Sequence, residues 1–410
     1  STGAMMPEQV YVLGTGRTDF KRNLKKEGKS LRDVIVEAGR AAIEDAGVDP
    51  SVVQSGVVGN FAAGRLTKQL HLGALLCDID ESMRGIPTFH AEAACASGSV
   101  AMVAAFHQVM GGIYDAVIVV GAEQQKTMPP NEVGDVLASA GDYAVERPKY
   151  GELTFPALFG HVAQMYAEKY GLDSKALTAV SFKNRTHATL NPLAQMRDTP
   201  ITEEFACTVN EKNPMIADPL KLVDCSQITD GAAATLLVSE RFLKKLGKSK
   251  KQAIKLLGFG SSTDYLPVDR KDAPVFSIAR RAAKQAYSMA GCGPKDIHGV
   301  DVHDCFSISE IVAYEILGLA ENGEGAKLAM SGATRLRQCG GTGKAAPVNP
   351  GGGLIADGHP VGATGVRQVV EAVAHLRGEA GQRQIDGAKK YLTFNMGGSM
   401  TTSVACVWGV

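Results

Sequence analysis

The feature that most constrains the fold of this chain is a repeat of its own first part. A strand ending in glycines, an amphipathic helix, a turn and a second strand run from Val10 to Asn60, and the same order returns from Ile254 to Val302. Five pairs of identical residues share one spacing of 244: Leu13 and Leu257, Gly14 and Gly258, Gly16 and Gly260, Gly47 and Gly291, Pro50 and Pro294. Such self-similarity predicts a duplicated domain.

The later parts of the two halves also correspond. Ala96–Val100 resembles Ala363–Val366, and each begins a predicted helix that leads to a strand. In the second half that strand (391–397) is followed at once by another (401–408). In the first half the matching second strand (230–239) comes only after a long intervening segment. That segment is therefore interpreted as an insertion.

The repeat and the insertion together predict an α/β protein of three units. Strands that alternate with helices through glycine-rich turns favour two mainly parallel sheets covered by helices. The insertion is expected to be polar and irregular around Met128–Asn131, then helical over 158–170 and again from Lys175. The predicted units are a first half of residues 7–123 plus 224–246, an inserted domain of 124–223, and a second half of 247–410.

Composition excludes several classes of function. Lys plus Arg (43) equals Asp plus Glu (43), so no basic field indicates nucleic acid binding. No apolar run approaches the roughly 18 residues of a membrane span. Eight scattered cysteines show neither a disulfide framework nor a short metal-binding spacing, which predicts a reducing compartment. Ser1–Met6 is interpreted as an expression remnant before the native start. A cytoplasmic protein is expected, with a peroxisomal or mitochondrial lumen as the alternatives.

A cysteine in a turn of small residues is the first candidate for chemistry. Cys95 runs straight into an Ala-rich helix with apolar residues at Val100 and Val103, which predicts that it lies in the first turn. Free backbone N–H groups and the helix dipole there would lower the pKa of the thiol. Cys95 is thus a candidate nucleophile, and a buried structural cysteine is the alternative.

Three further polar stretches lie in apolar settings. His303 and Cys305 follow a strand and are two residues apart, so they point to the side where ligands of open α/β sheets bind. A capped turn with a satisfied histidine is the alternative. His359 is a lone histidine among glycines that allow close backbone approach. Phe394–Ser399 closes a strand with N–H donors suited to an oxyanion, or forms only a tight turn. Zinc would compete for these residues and Cys95, but no short-spaced ligand pair is present, so no metal is predicted.

These motifs together resemble the thiolase superfamily. The likeness runs from about Val10 to Trp408, and the form His303-Asp-Cys-Phe resembles the sterol-carrier-protein-2 thiolase branch. The resemblance implies a thiolase-like fold with a five-layered α-β-α-β-α core and an inserted domain that acts as a coenzyme A-binding lid. The motifs that carry it are Cys95-Ala-Ser-Gly, Thr229-Asp-Gly-Ala, His303-Asp-Cys-Phe and Gly358-His-Pro.

The resemblance also implies a role for each candidate residue. Cys95 matches the nucleophile that accepts an acyl group, and His359 matches the histidine that activates it. Cys305 matches the second cysteine, which acts as acid and base on the carbon that becomes a carbanion. His303 matches a residue of the oxyanion hole for the enolate. The N–H groups of Cys95 and Gly397 match the hole for the tetrahedral intermediate.

The chain departs from the common thiolase pattern at two catalytic motifs. Many thiolases carry Asn-Glu-Ala-Phe where this chain has His303–Phe306, and Cys-x-Gly where it has Asn395–Gly397. The late cysteine is therefore absent, and Cys305 must take its role.

The coenzyme A site is predicted from the insertion. Leu158 and Phe159 stand where many thiolases have His-Met beside the pantetheine arm, which predicts a larger or differently lined acyl pocket. Lys183, Arg185 and Lys221 are the candidate ligands for the phosphates.

The predicted function is a thiolase that makes or cleaves 3-ketoacyl-CoA through an acyl-cysteine. Its partners would be acyl-CoA and coenzyme A, with no other cofactor, and the resemblance implies a homodimer or homotetramer. A condensing enzyme with a non-CoA acceptor and a non-catalytic acyl-CoA-binding subunit are the alternatives. Two thiols and two histidines favour catalysis. No sterol-carrier domain is expected, because the sequence given ends at Val410.

Overall fold

The computed structural model describes residues 7–247 and 253–410. The suggested expression remnant, Ser1–Met6, lies outside them. The strands are β1 Val10–Arg17, β2 Ser55–Gly59, β3 Thr88–Ala91, β4 Ala116–Glu123, β5 Met215–Ala217, β6 Leu220–Lys221, β7 Gly231–Ser239, β8 Ile254–Thr263, β9 Gly299–Asp301, β10 Lys390–Gly397 and β11 Thr402–Gly409. The helices are α1 Leu31–Ala46, α2 Ala63–Leu66, α3 Ser97–Met110, α4 Pro130–Ala138, α5 Tyr143–Tyr150, α6 Thr154–Tyr170, α7 Ser174–Ala188, α8 Glu203–Cys207, α9 Glu240–Leu246, α10 Ser277–Ala290, α11 Ser307–Ile316, α12 Gly325–Ser331, α13 Gly353–Ala356 and α14 Thr364–Arg377.

The duplication is visible in the packing of the repeated glycines. A Cβ on Gly14 would lie 2.1 Å from the carbonyl oxygen of Ala42, and a Cβ on Gly258 would lie 2.3 Å from that of Ala286. These two alanines are again 244 residues apart, so corresponding helices contact corresponding strands in the two halves. Both strands also bulge at their repeated leucine, where the register shifts.

All the main strands form one sheet in the order β3-β2-β4-β7-β1-β8-β11-β10-β9. The halves join where Tyr11 and Val12 pair with Lys255 and Ile254. Within the described residues, three strand pairs of this sheet are parallel and five are antiparallel. The expectation of two mainly parallel sheets is therefore wrong. Antiparallel strands can follow one another through a tight turn, as β10 and β11 do, whereas parallel strands need a helical crossover.

Helices lie in three layers around the two halves of the sheet. Helix α1 covers one face of the first half and α10 covers one face of the second. Between the halves lie α3 and α14, which contact each other and strands on both sides. Their first turns are close, since a Cβ on Gly98 would lie 2.8 Å from the carbonyl oxygen of Gly362. This arrangement gives the predicted order α-β-α-β-α.

The insertion is helical almost from its start. Proline is favoured in the first turn of a helix, so Pro130 begins α4 rather than an irregular stretch. The expectation of irregular structure around Met128–Asn131 therefore holds for Met128 and Pro129 and is wrong for Pro130 and Asn131, which lie in α4. Helix α6 begins at Thr154, four residues earlier than predicted, and the Tyr166 hydroxyl donates to Glu315 of α11 over 2.6 Å. The insertion thus packs on the helix that follows His303 and Cys305.

Candidate active site

Cys95 lies in a tight turn two residues ahead of α3, and not in its first turn as predicted. Ala94, just before it, has φ of 53°, a left-handed conformation that is uncommon for residues other than glycine. The Ser97 hydroxyl holds this turn, because it accepts from the N–H of Ala93 (3.0 Å) and donates to the carbonyl of Ala94. Strained turns of this kind recur at functional sites, where surrounding contacts hold them.

Burial raises the pKa of the Cys95 thiol to about 12, even though the N–H groups of Gly398 and of Cys95 itself act in the opposite direction. The prediction of a lowered pKa is therefore wrong for this structure. The cause is desolvation, which disfavours the thiolate. A thiol of this kind needs a neighbouring base when it attacks.

His359 is the base within reach, and hydrogen bonds hold both its backbone and its ring. Its N–H donates to the Thr229 hydroxyl over 2.8 Å, and its carbonyl accepts from the Gln125 side chain over 3.0 Å. Its Nδ1 lies 2.6 Å from the hydroxyl of Thr364, the first residue of α14. Burial, followed by the charge of Arg367, lowers the pKa of His359 to about 3. The imidazole is therefore neutral and able to accept a proton.

The structure brings three of the predicted residues to one buried point. The Cys95 sulfur and one ring nitrogen each of His303 and His359 lie within 4.8 Å of one another. The two imidazole rings are perpendicular, at 87°, with centroids 5.2 Å apart. Cys95 thus lies beside two histidines that are more than 200 positions away from it in the chain.

Asn395 sets the protonation of His303. Its Nδ2 donates to the Cys95 carbonyl (3.1 Å), which fixes the orientation of the amide, and lies 2.9 Å from Nδ1 of His303. That Nδ1 must therefore accept, so the proton of the neutral ring is on Nε2. This Nε2 is buried without a hydrogen-bond partner in the described structure. Burial, the nearby His359 and Arg367 all lower the pKa of His303. The result is a neutral N–H donor free for a substrate oxygen.

Cys305 lies between β9 and α11, with its sulfur 3.3 Å from the Ser309 hydroxyl. Burial raises the pKa of its thiol well above the usual value, and the neighbouring Cys95 acts in the same direction. Asp304, which the sequence analysis passed over, accepts from the N–H groups of Leu354 (2.7 Å) and Ile355 (3.2 Å). It therefore ties the Cys305 segment to the stretch that leads to His359.

The turn after β10 lies against the nucleophile. A Cβ on Gly397 would lie 2.2 Å from the Ala93 carbonyl oxygen, so only glycine allows this approach. The N–H of Gly398, which the sequence analysis did not name, acts with the N–H of Cys95 itself to lower the pKa of the Cys95 thiol against the effect of burial. Lys271, also missed, donates to the Ser399 carbonyl (2.7 Å) and the Thr401 hydroxyl (2.8 Å) and so holds this turn. The glycine run alone did not show which N–H meets the sulfur.

The predicted phosphate ligands Lys183, Arg185 and Lys221 are all buried, so their assignment is wrong. Lys183 pairs with Glu310 over 2.7 Å, and Lys221 pairs with Asp224 over 3.2 Å. Arg185 donates to the carbonyl of Thr199 over 3.0 Å. Buried cations require such partners, and here the partners belong to the protein.

Leu158 and Phe159 are buried in α6, and Phe159 stacks on Phe306 with ring centroids 4.9 Å apart. Phe306 follows Cys305 in the chain, so Phe159 packs against the residue next to the second thiol. A cavity of about 730 Å³ lies elsewhere, at the opposite ends of β9 and β10, and the catalytic candidates do not line it. The candidate catalytic residues are therefore buried and lie away from this cavity.

Cys95, His303 and His359 are close enough to hold a metal ion. The hydrogen bonds do not fit one, however. Asn395 occupies the lone pair of His303 Nδ1, so the nitrogen that faces the site carries a proton and cannot be a ligand. Metal-binding histidines instead donate their second N–H to an acceptor.

Two family models match the chain. The thiolase N-terminal domain matches residues 10–241, and the thiolase C-terminal domain-like model matches residues 260–410. The chain belongs to the thiolase superfamily. This thiolase is 38% identical over 399 residues to an acetyl-CoA acetyltransferase of Methanothermobacter thermautotrophicus, covering 97% of this chain and 99% of that protein. It is 32% identical over 408 residues to human sterol carrier protein 2, covering 95% of this chain and 70% of that protein.

Solved structures agree on the fold of the thiolase. An Ltp2–ChsH2(DUF35) aldolase superposes with a TM-score of 0.81 at 24% identity, covering 99% of each chain. A monomeric SCP2-thiolase-like protein type 1 from Mycobacterium smegmatis gives 0.75 at 19% identity, covering 99% of this chain and 78% of that one. The predicted thiolase fold and the sterol-carrier-protein-2 thiolase-like branch are confirmed, and the chain is an acyltransferase of the thiolase type. No helix of residues 7–247 or 253–410 is long and apolar enough to cross a membrane.

Proposed function

We propose that this thiolase makes or cleaves the carbon–carbon bond of 3-ketoacyl-CoA through an acyl group on Cys95. The observation that carries the proposal is the convergence of one thiol and two neutral imidazoles within 4.8 Å, with a second buried thiol beside them. Claisen chemistry needs a nucleophile, a base and donors for two oxyanions. The relatives named acetyl-CoA acetyltransferase support the use of acyl-CoA and coenzyme A as substrates.

In the cleavage direction, the first step adds the Cys95 sulfur to the 3-keto carbon while His359 takes the thiol proton. The negative charge moves to the carbonyl oxygen. We assign its stabilisation to the N–H groups of Cys95 and Gly397, with Gly398 directed at the sulfur. A neutral His359 at the start of the step supports this role.

The second step breaks the carbon–carbon bond and leaves an enolate on the departing thioester. Cys305 gives its proton to the carbon, and His303 Nε2 donates to the enolate oxygen. Coenzyme A thiol then attacks the acyl-Cys95 and gives its proton to the Cys305 thiolate, while the His359 imidazolium returns its proton to the departing Cys95 sulfur. Synthesis is the same sequence reversed, with Cys305 removing the alpha proton. The unpartnered Nε2 of His303 supports its place in this step.

We also propose the inserted domain, 124–223, as the cover of the coenzyme A site. The N–H groups of Gln195 and Met196 donate to the carbonyls of Asp357 (2.9 Å) and Ala356 (3.0 Å), just ahead of His359. The stack of Phe159 on Phe306 supports a bulky apolar side chain beside the acyl group. Phosphate contacts must come from residues other than the three buried cations.

A homodimer in a reducing, cytoplasmic environment completes the proposal. The edge strand β3 is partly open, and Phe89 on it is 43% exposed. Exposed edge strands are covered in many proteins by a second chain. All eight cysteines carry free thiols, which supports a reducing compartment.

The test is intact-protein mass spectrometry after brief incubation with acetyl-CoA or acetoacetyl-CoA. The wild type is expected to gain an acetyl group, and Cys95→Ala is expected to gain none. Cys406→Ala is a matched control, because it removes another buried thiol and is expected to leave the adduct unchanged. An unmodified wild type with these and longer acyl-CoAs would favour the non-catalytic binding subunit.

A further inference from the structure

A buried ion-pair network lies directly behind the two histidines. Arg367, on α14, is fully buried and pairs with Asp301 at the end of β9. Its Nε also lies 3.6 Å from a carboxylate oxygen of Asp357, which Arg17 binds through two hydrogen bonds of 2.9 and 3.0 Å. Asp301 precedes His303 by two residues, and Asp357 precedes His359 by two residues. One guanidinium therefore joins the carboxylates of both histidine segments.

The same helix also holds one of the rings. Thr364, which contacts Nδ1 of His359, lies three residues before Arg367 and thus on the same side of α14. A shift of α14 would move the hydroxyl and the guanidinium together. Arg367 therefore adds to the contacts that set the relative placement of the two imidazoles.

The first half of the chain shows that the fold does not require the pair. At the spacing of 244, Asp301 corresponds to Val57 of β2, and in the matched helix starts Arg367 corresponds to Val100. Val57 lies in the apolar core between the halves, and Val100 packs against it. Apolar residues are often at least as stabilising as a buried ion pair. The charged pair thus occurs in the half that carries both histidines and is absent at the matched positions of the other half.

We propose that Arg367 is a positioning residue, which sets the distance and orientation of His303 and His359 through Asp301 and Asp357. The inference rests on the proposed function, since it assumes that the two imidazoles act on one substrate. Arg367 itself touches no reacting atom. Its action is to hold two segments in register and to place a fixed positive charge behind both rings.

The charge has a consequence for pH dependence. The ionisable groups beside His359 are the Cys95 thiol ahead of α3 and the His303 ring after β9, and the Arg367 cation on α14 acts on its pKa. On its own segment Asp357 pairs with Arg17, and Glu123 at the end of β4 accepts from the N–H of Gly362. Burial and the Arg367 charge together keep the pKa of His359 near 3. Removal of the cation would raise that pKa, so protonation of the base would begin at a higher pH than in the wild type.

The experiment measures single-turnover acylation of Cys95 by acetyl-CoA from pH 5 to 9 with quenched intact-mass detection. Arg367→Met is expected to slow acylation at pH 7 by about 100-fold, the loss that a displacement of 1 Å can cause. The acidic limb of its pH profile should also begin at a higher pH than that of the wild type. Arg367→Lys keeps the charge but cannot place separate nitrogens against Asp301 and Asp357, so its rate should fall by about tenfold with the wild-type pH profile.

The matched control is Arg383→Met. Arg383 makes a bidentate pair (2.8 and 3.1 Å) with Glu371, which lies on α14 as Arg367 does. This pair includes no residue of the two histidine segments. Its rate and pH profile should stay those of the wild type. If Arg367→Met does not fold, Asp301→Asn replaces it and should slow only carbon–carbon chemistry, because it releases the His303 segment alone.

Two results would overturn the inference. One is wild-type acylation with an unchanged pH profile in both Arg367→Lys and Arg367→Met or, where Asp301→Asn replaces the methionine variant, acetoacetyl-CoA cleavage by Asp301→Asn at the wild-type rate. The other is an equal loss in Arg383→Met, which would make Arg367 a structural residue only. A wild type that forms no adduct on Cys95 would instead refute the proposed function, and the inference with it.

Discussion

The two halves of this thiolase share a backbone frame and differ in the side chains at matched positions of it. Gly59 at the end of β2 corresponds to His303 in the second half at the spacing of 244. A Cβ on Gly59 would lie 2.7 Å from the Ser97 carbonyl oxygen, so glycine lets α3 approach the strand and places Cys95. The matched position in the second half carries the imidazole that faces that thiol.

This difference distinguishes residues that serve the fold from residues that serve the proposed reaction. The repeated residues, such as Gly14 and Gly258, make the same helix-to-strand contact in both halves. The proposed catalytic side chains and the Arg367 network occur at positions that are not repeated. A duplicated frame therefore allows each half to supply a different part of one site.

The largest expected effect of a change outside the nucleophile is at His303, where the halves differ most. His303→Ala is expected to slow carbon–carbon bond cleavage by about 10² to 10³-fold, the usual cost of removing one oxyanion donor. Acylation of Cys95 by acetyl-CoA should change much less, because the enolate forms only in the later step. Steady-state cleavage of acetoacetyl-CoA and single-turnover acylation measure the two steps separately. Equal losses in both would contradict the assigned role.

The shared frame predicts equal costs in stability at matched glycines. Gly14→Ala and Gly258→Ala should each lower the free energy of unfolding by about 1–3 kcal/mol, because the added methyl group meets a backbone carbonyl oxygen. Urea denaturation measures the free energy of unfolding of both variants. Gly134→Ala in α4 is the control, since its Cβ would have ordinary contacts and alanine favours helices by about 1 kcal/mol. A large difference between Gly14 and Gly258 would break the equivalence of the halves.

A smaller effect is expected at Lys271, whose matched residue at the spacing of 244 is Glu27. Burial lowers the pKa of Lys271 to about 8, and its ammonium group holds the turn that contains Gly398. Above pH 8 the loss of a proton removes one donor, so acylation should fall by about tenfold at most. Lys271→Arg stays protonated and should remove this fall. A wild-type alkaline fall that persists in the arginine variant would exclude this cause.

Deprotonation of Lys271 is expected to change stability in the opposite direction to activity. Between pH 8 and about 10.5 the unfolded chain keeps its lysine proton while the folded protein has released it. The unfolded state then binds more protons, so the contribution of Lys271 to stability rises with pH in that window. Stability and activity should therefore diverge there, and Lys271→Arg should show neither change.

Much of the fold and the site could be predicted from local signals. Identical residues at one spacing revealed the duplication, and short polar motifs beside strands located Cys95, His303, Cys305 and His359. Strand direction could not be predicted in the same way, because a hairpin and a crossover differ in connection and not in strand pattern.

Contacts between residues far apart in the chain explain why some predictions about the site were wrong. Lys183 looks like any exposed helical lysine until the fold brings Glu310 to 2.7 Å from it. The raised pKa of Cys95 likewise depends on burial by distant segments, and a motif beside a helix cannot report it. The role of Asn395 rests on its contact with a carbonyl 300 residues earlier in the chain. A local sequence pattern identifies reactive residues. Their protonation states and their hydrogen-bond or ion-pair partners depend on the tertiary structure.

The central claim is that the two thiols divide the reaction between them, and Cys305→Ala tests it most directly. The variant should be examined by intact-mass measurement of the acetyl adduct from acetyl-CoA and by acetoacetyl-CoA cleavage in the same preparation. The account predicts a normal adduct on Cys95 and a loss of carbon–carbon cleavage by about 10²-fold or more. Cleavage at the wild-type rate, or loss of the adduct, would contradict it.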